Sequence, residues 1–118
     1  MKHYILNLTI RGTEAPEPDL IHRHRLFLTQ GFHANLFLIL GPKSDGSGTL
    51  AVARSESRAV LTRFLVQDPL WAAGCLDVEI LEFDPVHFPE LLRGWVDPMR
   101  ARVPEYLLGL GLDSTAAS

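Results

Sequence analysis

Apolar and polar positions change their period repeatedly along this chain, and the changes mark its elements. Residues 2–10 alternate: Tyr4, Leu6, Leu8 and Ile10 fall on one face and His3, Ile5, Asn7 and Thr9 on the other, the period of a strand. The first face reads as core. The second mixes apolar and polar groups, as a sheet face does when it lines a pocket or a subunit interface. A Gly/Pro-rich loop follows over residues 11–18. From Asp19, a residue suited to capping, Leu20, His24, Phe27, Leu28 and Gly31 recur at i, i+4, i+7 and i+8, which predicts a helix to about His33. Residues 35–40 form a short apolar run ended by Gly41-Pro42, and an extended pattern resumes over 49–54. The Lys-Ser-Asp-Gly-Ser-Gly between them is turn chemistry, so a hairpin is expected. Ser55 is placed to cap a second helix with an apolar stripe of Val60, Leu61, Phe64 and Leu65 and a wet side at Arg58 and Arg63. Asp68-Pro69 is the start signal of a short helix, because Asp accepts backbone N–H bonds and Pro suits the first helical position. Residues 75–83 alternate again, with Cys75, Asp77, Glu79 and Leu81 opposite Leu76, Val78, Ile80 and Glu82.

The order is β-α-β-β-α-β, a split βαβ arrangement of the α+β class with a four-stranded antiparallel sheet and two helices on one face. The other face, carrying Ile5, Asn7 and half of residues 36–40, needs cover. Apolar burial contributes about 25 cal/mol per Å², which outweighs a surface ion pair at roughly 0–1 kcal/mol, so pairing of two sheets in a homodimer is expected. Beyond Asp84, prolines at 85, 89, 98 and 104 punctuate short segments, and Asp97-Pro98 repeats the helix-start signal. Trp95, Val96, Met99, Tyr106, Leu107, Leu108 and Leu110 make these segments too apolar for a free tail. The expected organisation is a domain over residues 1–84, an extension of two short helices over 85–112, and a disordered tail over 113–118.

A chain of 118 residues, 47% hydrophobic and 21% charged, suits one globular domain with its own core. A net charge of −3 with nine scattered arginines argues against nucleic-acid binding, which needs clustered basic groups. The single Cys75 rules out an internal disulfide and fits a reducing compartment. No paired Cys/His spacing suggests a metal site. The amino terminus shows no signal peptide, and no apolar run approaches the roughly 20 residues of a membrane helix, so a cytoplasmic protein is expected. Gly46 and Gly48 suggest a phosphate cradle only weakly, since no helix starts directly after them. His24 lies inside an apolar stripe: it is either a core histidine satisfied by one hydrogen bond or an imidazole available for acid–base work.

Several of these residues occur together in a recognisable order: His24-Arg25 with Leu28, Leu40-Gly41-Pro42, the turn at 46–48, residues 55–58, and Asp68-Pro69 followed by Ala73-Gly74. With them the chain, over about residues 4–83, resembles the YciI-like (YCII-related) family of ferredoxin-like proteins that dimerise into α+β barrels. Leu70, where that family usually carries an aromatic, and the segment after Asp84 depart from its pattern. The resemblance implies a catalytic His–Asp dyad at His24 and Asp68 and no cofactor. The family's best-defined chemistry is dehydrochlorination of a chlorinated hydroxyhydroquinone, and muconolactone isomerases share its fold.

That chemistry suits the residues. A base taking a proton from a ring hydroxyl, or from a carbon beside a carbonyl, works best with a pKa near operating pH, and free histidine titrates at about 6.5. An aspartate on the far ring nitrogen fixes the tautomer. Trp71 is a candidate to wall the ring of a small aromatic substrate and Asn7 to bind a ring oxygen. The competing expectations are a lactone isomerase with the same dyad, and a ligand-binding module in which Asp68 only caps and His24 only packs.

Overall fold

The computed structural model describes residues 1–98. Four strands, β1 (Lys2–Ile10), β2 (Phe37–Pro42), β3 (Gly48–Ser55) and β4 (Leu76–Phe83), form one sheet in the order β2-β3-β1-β4. All neighbours are antiparallel. With α1 (Pro18–His33), α2 (Arg58–Leu65) and the single turn α3 (Pro69–Ala72), this is an α+β fold of ferredoxin-like order. Residues Lys2–Asp84 form one compact unit, and the described residues from Pro85 onward belong to another.

The alternation in β1 sets the layers. Tyr4, Leu6 and Leu8 are fully buried, and the register sets Tyr4 beside Ala53 and Leu6 between Ala51 and Ile80. Leu61 and Leu65 of α2, Phe27 and Leu28 of α1, and Leu70 of α3 join the same core cluster. Phe64 is stacked on Phe27 at 4.6 Å between centroids and meets Phe37 edge-on at 6.1 Å. This aromatic seam needs a residue without a side chain. A Cβ on Gly31 would lie 2.5 Å from the Phe37 ring and 3.0 Å from that of Phe64.

On the opposite face Ile39, Leu50 and Leu81 keep about half or more of their surface exposed (62%, 47% and 50%). With Ile5 and Val52 the first two of these line a shallow apolar hollow of about 390 Å³. Asn7 lies on this side as well, donating to Glu79 Oε1 at 3.2 Å.

Several boundaries differ from the expected ones, each for a local reason. Asp19 does not cap α1: Glu17 holds the N-cap position without a side-chain bond, Pro18 opens the helix, and Asp19 pairs with Arg23 one turn on. Asn35 is not strand but the left-handed residue (φ 60°) just past that helix. Gly41-Pro42 continues β2 instead of ending it, pairing with Leu50 and Thr49; β2 is an edge strand, where a missing N–H breaks no ladder. Ser57, not Ser55, caps α2 by accepting from the Val60 N–H at 3.1 Å, while Ser55 is a buried residue at the end of β3. In the second unit a 3₁₀ turn (Glu90–Leu92) leads into α4 (Arg93–Val96). There Arg93 grips Glu90 through two hydrogen bonds and lies 5.3 Å over the Phe88 ring. Asp97 follows α4 as its C-cap, Pro98 after it is helical, where the second short helix was expected to begin, and the rest of that helix and the tail fall outside the described residues. No helix among the described residues is long and apolar enough to cross a membrane.

Candidate active site

His24 faces inward because α1 turns its buried stripe, His24, Phe27, Leu28 and Gly31, toward the sheet. Asp68 arrives from the other half of the chain. Helix α2 ends at Leu65, the chain bends through Val66 and Gln67, and Asp68 takes the N-cap position of α3, accepting from the Leu70 N–H through Oδ1 at 2.9 Å. Pro69 fixes the first helical position, and the wholly buried Leu70 anchors the turn in the core. Helix α3 packs on α1, and that contact delivers the carboxylate to the imidazole.

The two groups meet closely. His24 Nδ1 lies 2.7 Å from Asp68 Oδ2 and 2.9 Å from Oδ1, and the side chains are only 8% and 2% exposed. A carboxylate has lone pairs and no donor, so the arrangement calls for a proton on Nδ1, donated to Asp68. Nε2 is then the basic nitrogen of the ring. Asp68 serves two purposes at once: one oxygen caps α3 while both hold the histidine. Removal of water from such a pair raises the cost of leaving either member unmatched.

His24 also forms part of the wall of a cavity of about 370 Å³. Ile10, Ile21, Leu28 and Leu40 make its apolar sides, and the β2–β3 hairpin closes one end with Gly41-Pro42, Gly46, Gly48 and Thr49. The hairpin can come so near only because of its glycines. Gly46 has φ +75°, and a Cβ on Gly48 would fall 1.8 Å from the Leu8 carbonyl oxygen. Asp45 stiffens the turn: hydrogen bonds from Ser47, side chain and backbone, hold its carboxyl below the usual value. Lys43 is tied back to Thr9 Oγ1 at 2.7 Å. Elsewhere in the core, burial pushes the Tyr4 hydroxyl up, with Glu82 adding to the effect.

Asn7 and Trp71 do not line this cavity. Asn7 projects from the opposite face of the sheet, since it alternates with the buried Leu6 and Leu8. Trp71 is half-buried against the core cluster. In their place the cavity has Arg25, Thr49 and the aliphatic sides from β1, α1 and β2. Ile10 carried only a core signal in the sequence, and Leu40 and Arg25 stood among the residues of the family resemblance without a role assigned to them. Their convergence depends on how the hairpin docks beside α1, which no local pattern encodes.

No protein-family model matches the chain, and no curated protein matches it in sequence. Among solved structures it is similar to 5-chloro-2-hydroxyhydroquinone dehydrochlorinase (TftG) from Burkholderia phenoliruptrix AC1100, in complex with 2,5-dihydroxybenzoquinone. Identity is 19% with a TM-score of 0.47, over 65% of this chain and 90% of that one. A likeness of this degree assigns no activity to the chain.

Proposed function

We propose that the chain is a proton-transfer enzyme in which His24 is the general base and Asp68 its orienting partner, acting on a small hydroxylated ring. The observation that carries this is the buried Nδ1–carboxylate contact of 2.7 Å on a histidine that also forms a cavity wall. A histidine that only packs needs one hydrogen bond and no cavity. This one has a two-oxygen anchor on one nitrogen and a space of about 370 Å³ beside the ring, within the usual size range of small-molecule sites, about 300–1,000 Å³.

The specific reaction we infer is loss of HCl from a chlorinated hydroxyhydroquinone, following the motif resemblance around His24 and Asp68. Nε2 takes the proton of a ring hydroxyl as its oxygen becomes a carbonyl. The proton passes to the ring carbon that bears chlorine, which leaves that carbon tetrahedral with one hydrogen and one chlorine. Chloride then departs with the C–Cl electron pair while a second ring hydroxyl, conjugated with that carbon through a C=C bond, gives up its proton. Its O–H electrons form the second carbonyl, the C=C electrons shift to a double bond at the carbon that lost chlorine, and that carbon keeps its new hydrogen in the quinone. The second hydroxyl's proton and the chloride leave as HCl, and no external oxidant is consumed. Asp68 stabilises the imidazolium at each stage in which Nε2 holds a proton. We further infer that two copies pair through the open sheet face, where Ile39, Leu50 and Leu81 would find the cover they lack.

The test is chloride release from chlorinated hydroxyhydroquinone, measured against the spontaneous rate, for wild type and His24→Gln. Turnover by the wild type and its loss in a variant with an unchanged melting curve are expected. No chloride above background from the wild type would rule out the elimination, and equal turnover by His24→Gln would rule out the base.

A further inference from the structure

The cavity beside His24 holds one charged side chain that nothing so far has used. Arg25 lines it, together with His24 and Thr49 as the other polar side chains, and no carboxylate does. An outer cavity of about 450 Å³ shares Ile10, Ile21, Arg25 and Gly46 with the inner one, so Arg25 stands where the two meet. The sequence around it offers no partner. Ile21 and His22 precede it, and Leu28 and Thr29 follow it, at the spacings where a helical ion pair would form. Arg23 on the same helix shows the contrast, since Asp19 lies one turn before it and holds it at 3.1 Å. The Arg25 guanidinium enters none of the ion pairs or hydrogen bonds formed among the described residues; only its carbonyl is engaged, by Thr29 Oγ1. Glu14 lines the outer cavity and not the inner one.

A guanidinium at the mouth of a mostly aliphatic cavity favours one kind of ligand. Its planar fork matches an anionic oxygen group better than any neutral one, and the apolar walls accept a ring. The inner volume of about 370 Å³ has room for a ring. We propose that Arg25 is the charge anchor of this site: the cavity takes an aromatic or quinonoid ligand bearing a negatively charged oxygen, a carboxylate or an ionised ring hydroxyl, with that oxygen on Arg25 and the ring edge toward His24. The assignment rests on the His24 cavity being the substrate site. Arg25 binds charge and moves no proton, so it is a positioning and selectivity residue.

The experiment measures binding, not turnover. Calorimetry on the full chain compares 2,5-dihydroxybenzoate with its neutral isostere 2,5-dihydroxybenzamide, and 2-hydroxy-1,4-benzoquinone, ionised at neutral pH, with unsubstituted 1,4-hydroquinone. Wild type is expected to prefer the charged member of at least one pair by about tenfold or more, the worth of a charge-assisted bond. Which pair shows it separates carboxylate from ionised hydroxyl. Arg25→Met should abolish the preference, Arg25→Lys should keep part of it, and His24→Gln should keep it whole. Equal binding within both pairs, no binding of either anion at millimolar concentration, or a preference that survives Arg25→Met would overturn the proposal. So would a preference lost in His24→Gln and kept in Arg25→Met, because the imidazolium would then be the anchor. Arg25-dependent anion binding without turnover of any ring substrate would leave this assignment standing and remove the proposed reaction. Turnover that needs His24, with no Arg25-dependent preference, would do the reverse.

Discussion

Replacing Asp68 by asparagine separates its two duties. The amide oxygen at the Oδ1 position can still accept from the Leu70 N–H, 2.9 Å away in the native protein, so the cap of α3 survives. The amide nitrogen then takes the Oδ2 position, 2.7 Å from His24 Nδ1. The shorter contact then sets a donor against Nδ1, which favours a proton on Nε2 with Nδ1 accepting over the 2.9 Å bond from Nδ1–H to the amide oxygen. The stability cost is the difference between a charge-assisted and a neutral hydrogen bond, about 1 kcal/mol. Asp68→Ala removes the cap and strands a buried imidazole nitrogen, together about 2–4 kcal/mol. Activity should rank differently from stability. With Nε2 protonated there is no base facing the cavity, and Asp68→Asn should lose about 100- to 10,000-fold in turnover, the usual contribution of a general base. Long-range ¹H–¹⁵N spectra of the His24 ring read the tautomer directly, and a melting curve at about 4–8 °C per kcal/mol reads stability. A wild-type ring protonated at Nε2, or an asparagine variant that keeps its tautomer and its turnover, would refute the reasoning.

Three further outcomes are expected. Gly31→Ala gains helix propensity of about 1 kcal/mol but drives a methyl into the Phe37 and Phe64 rings, where overpacking costs about 1–3 kcal/mol; urea denaturation should show a net loss, and a gain would mean that the aromatic seam yields freely. Ser57→Ala should cost about 1 kcal/mol in the same assay through the lost cap of α2, and a neutral result would remove Ser57 from that role. Light scattering at micromolar concentration should give twice the chain mass for wild type and the single mass for Ile39→Lys with Leu50→Glu; a monomeric wild type would end the sheet-pairing proposal.

How legible each feature was in the sequence follows from the range of the interactions that set it. The faces of β1 were plain, because strict alternation of Tyr4, Leu6 and Leu8 leaves one register that buries them. The stripe of α1 was equally plain from His24, Phe27, Leu28 and Gly31. Caps were less so. Ser55 and Ser57 are both good capping residues two positions apart, and the length of β3 decides between them by drawing Ser55 into its pairing with Lys2. Pro42 reads as a stop, yet a free strand edge tolerates it. The Asp68 cap could be read from its own neighbours. Its contact with His24 could not, being a tertiary meeting suggested only by the family resemblance. Arg25 had a place in the family pattern but no role, because exposure on a helix is the ordinary state of arginine, and only the docked hairpin makes that position the rim of a cavity.

The separation of 44 positions between His24 and Asp68 also bears on how the site comes into being. Closing a loop of that length costs about 3 kcal/mol in chain entropy, more than a net hydrogen bond of about 1 kcal/mol returns. The pair therefore cannot nucleate its own assembly. Helix α1 and the α2–α3 corner must first be brought together by the Phe27–Phe64 stack and by Leu70, after which the dyad forms at little further loss of freedom. The His24–Asp68 contact is thus expected to form late in folding, reporting that both β-α-β halves have docked. A mutation of the Phe64 or Leu70 side chain would disrupt the His24–Asp68 contact in proportion to the population in which those halves come apart.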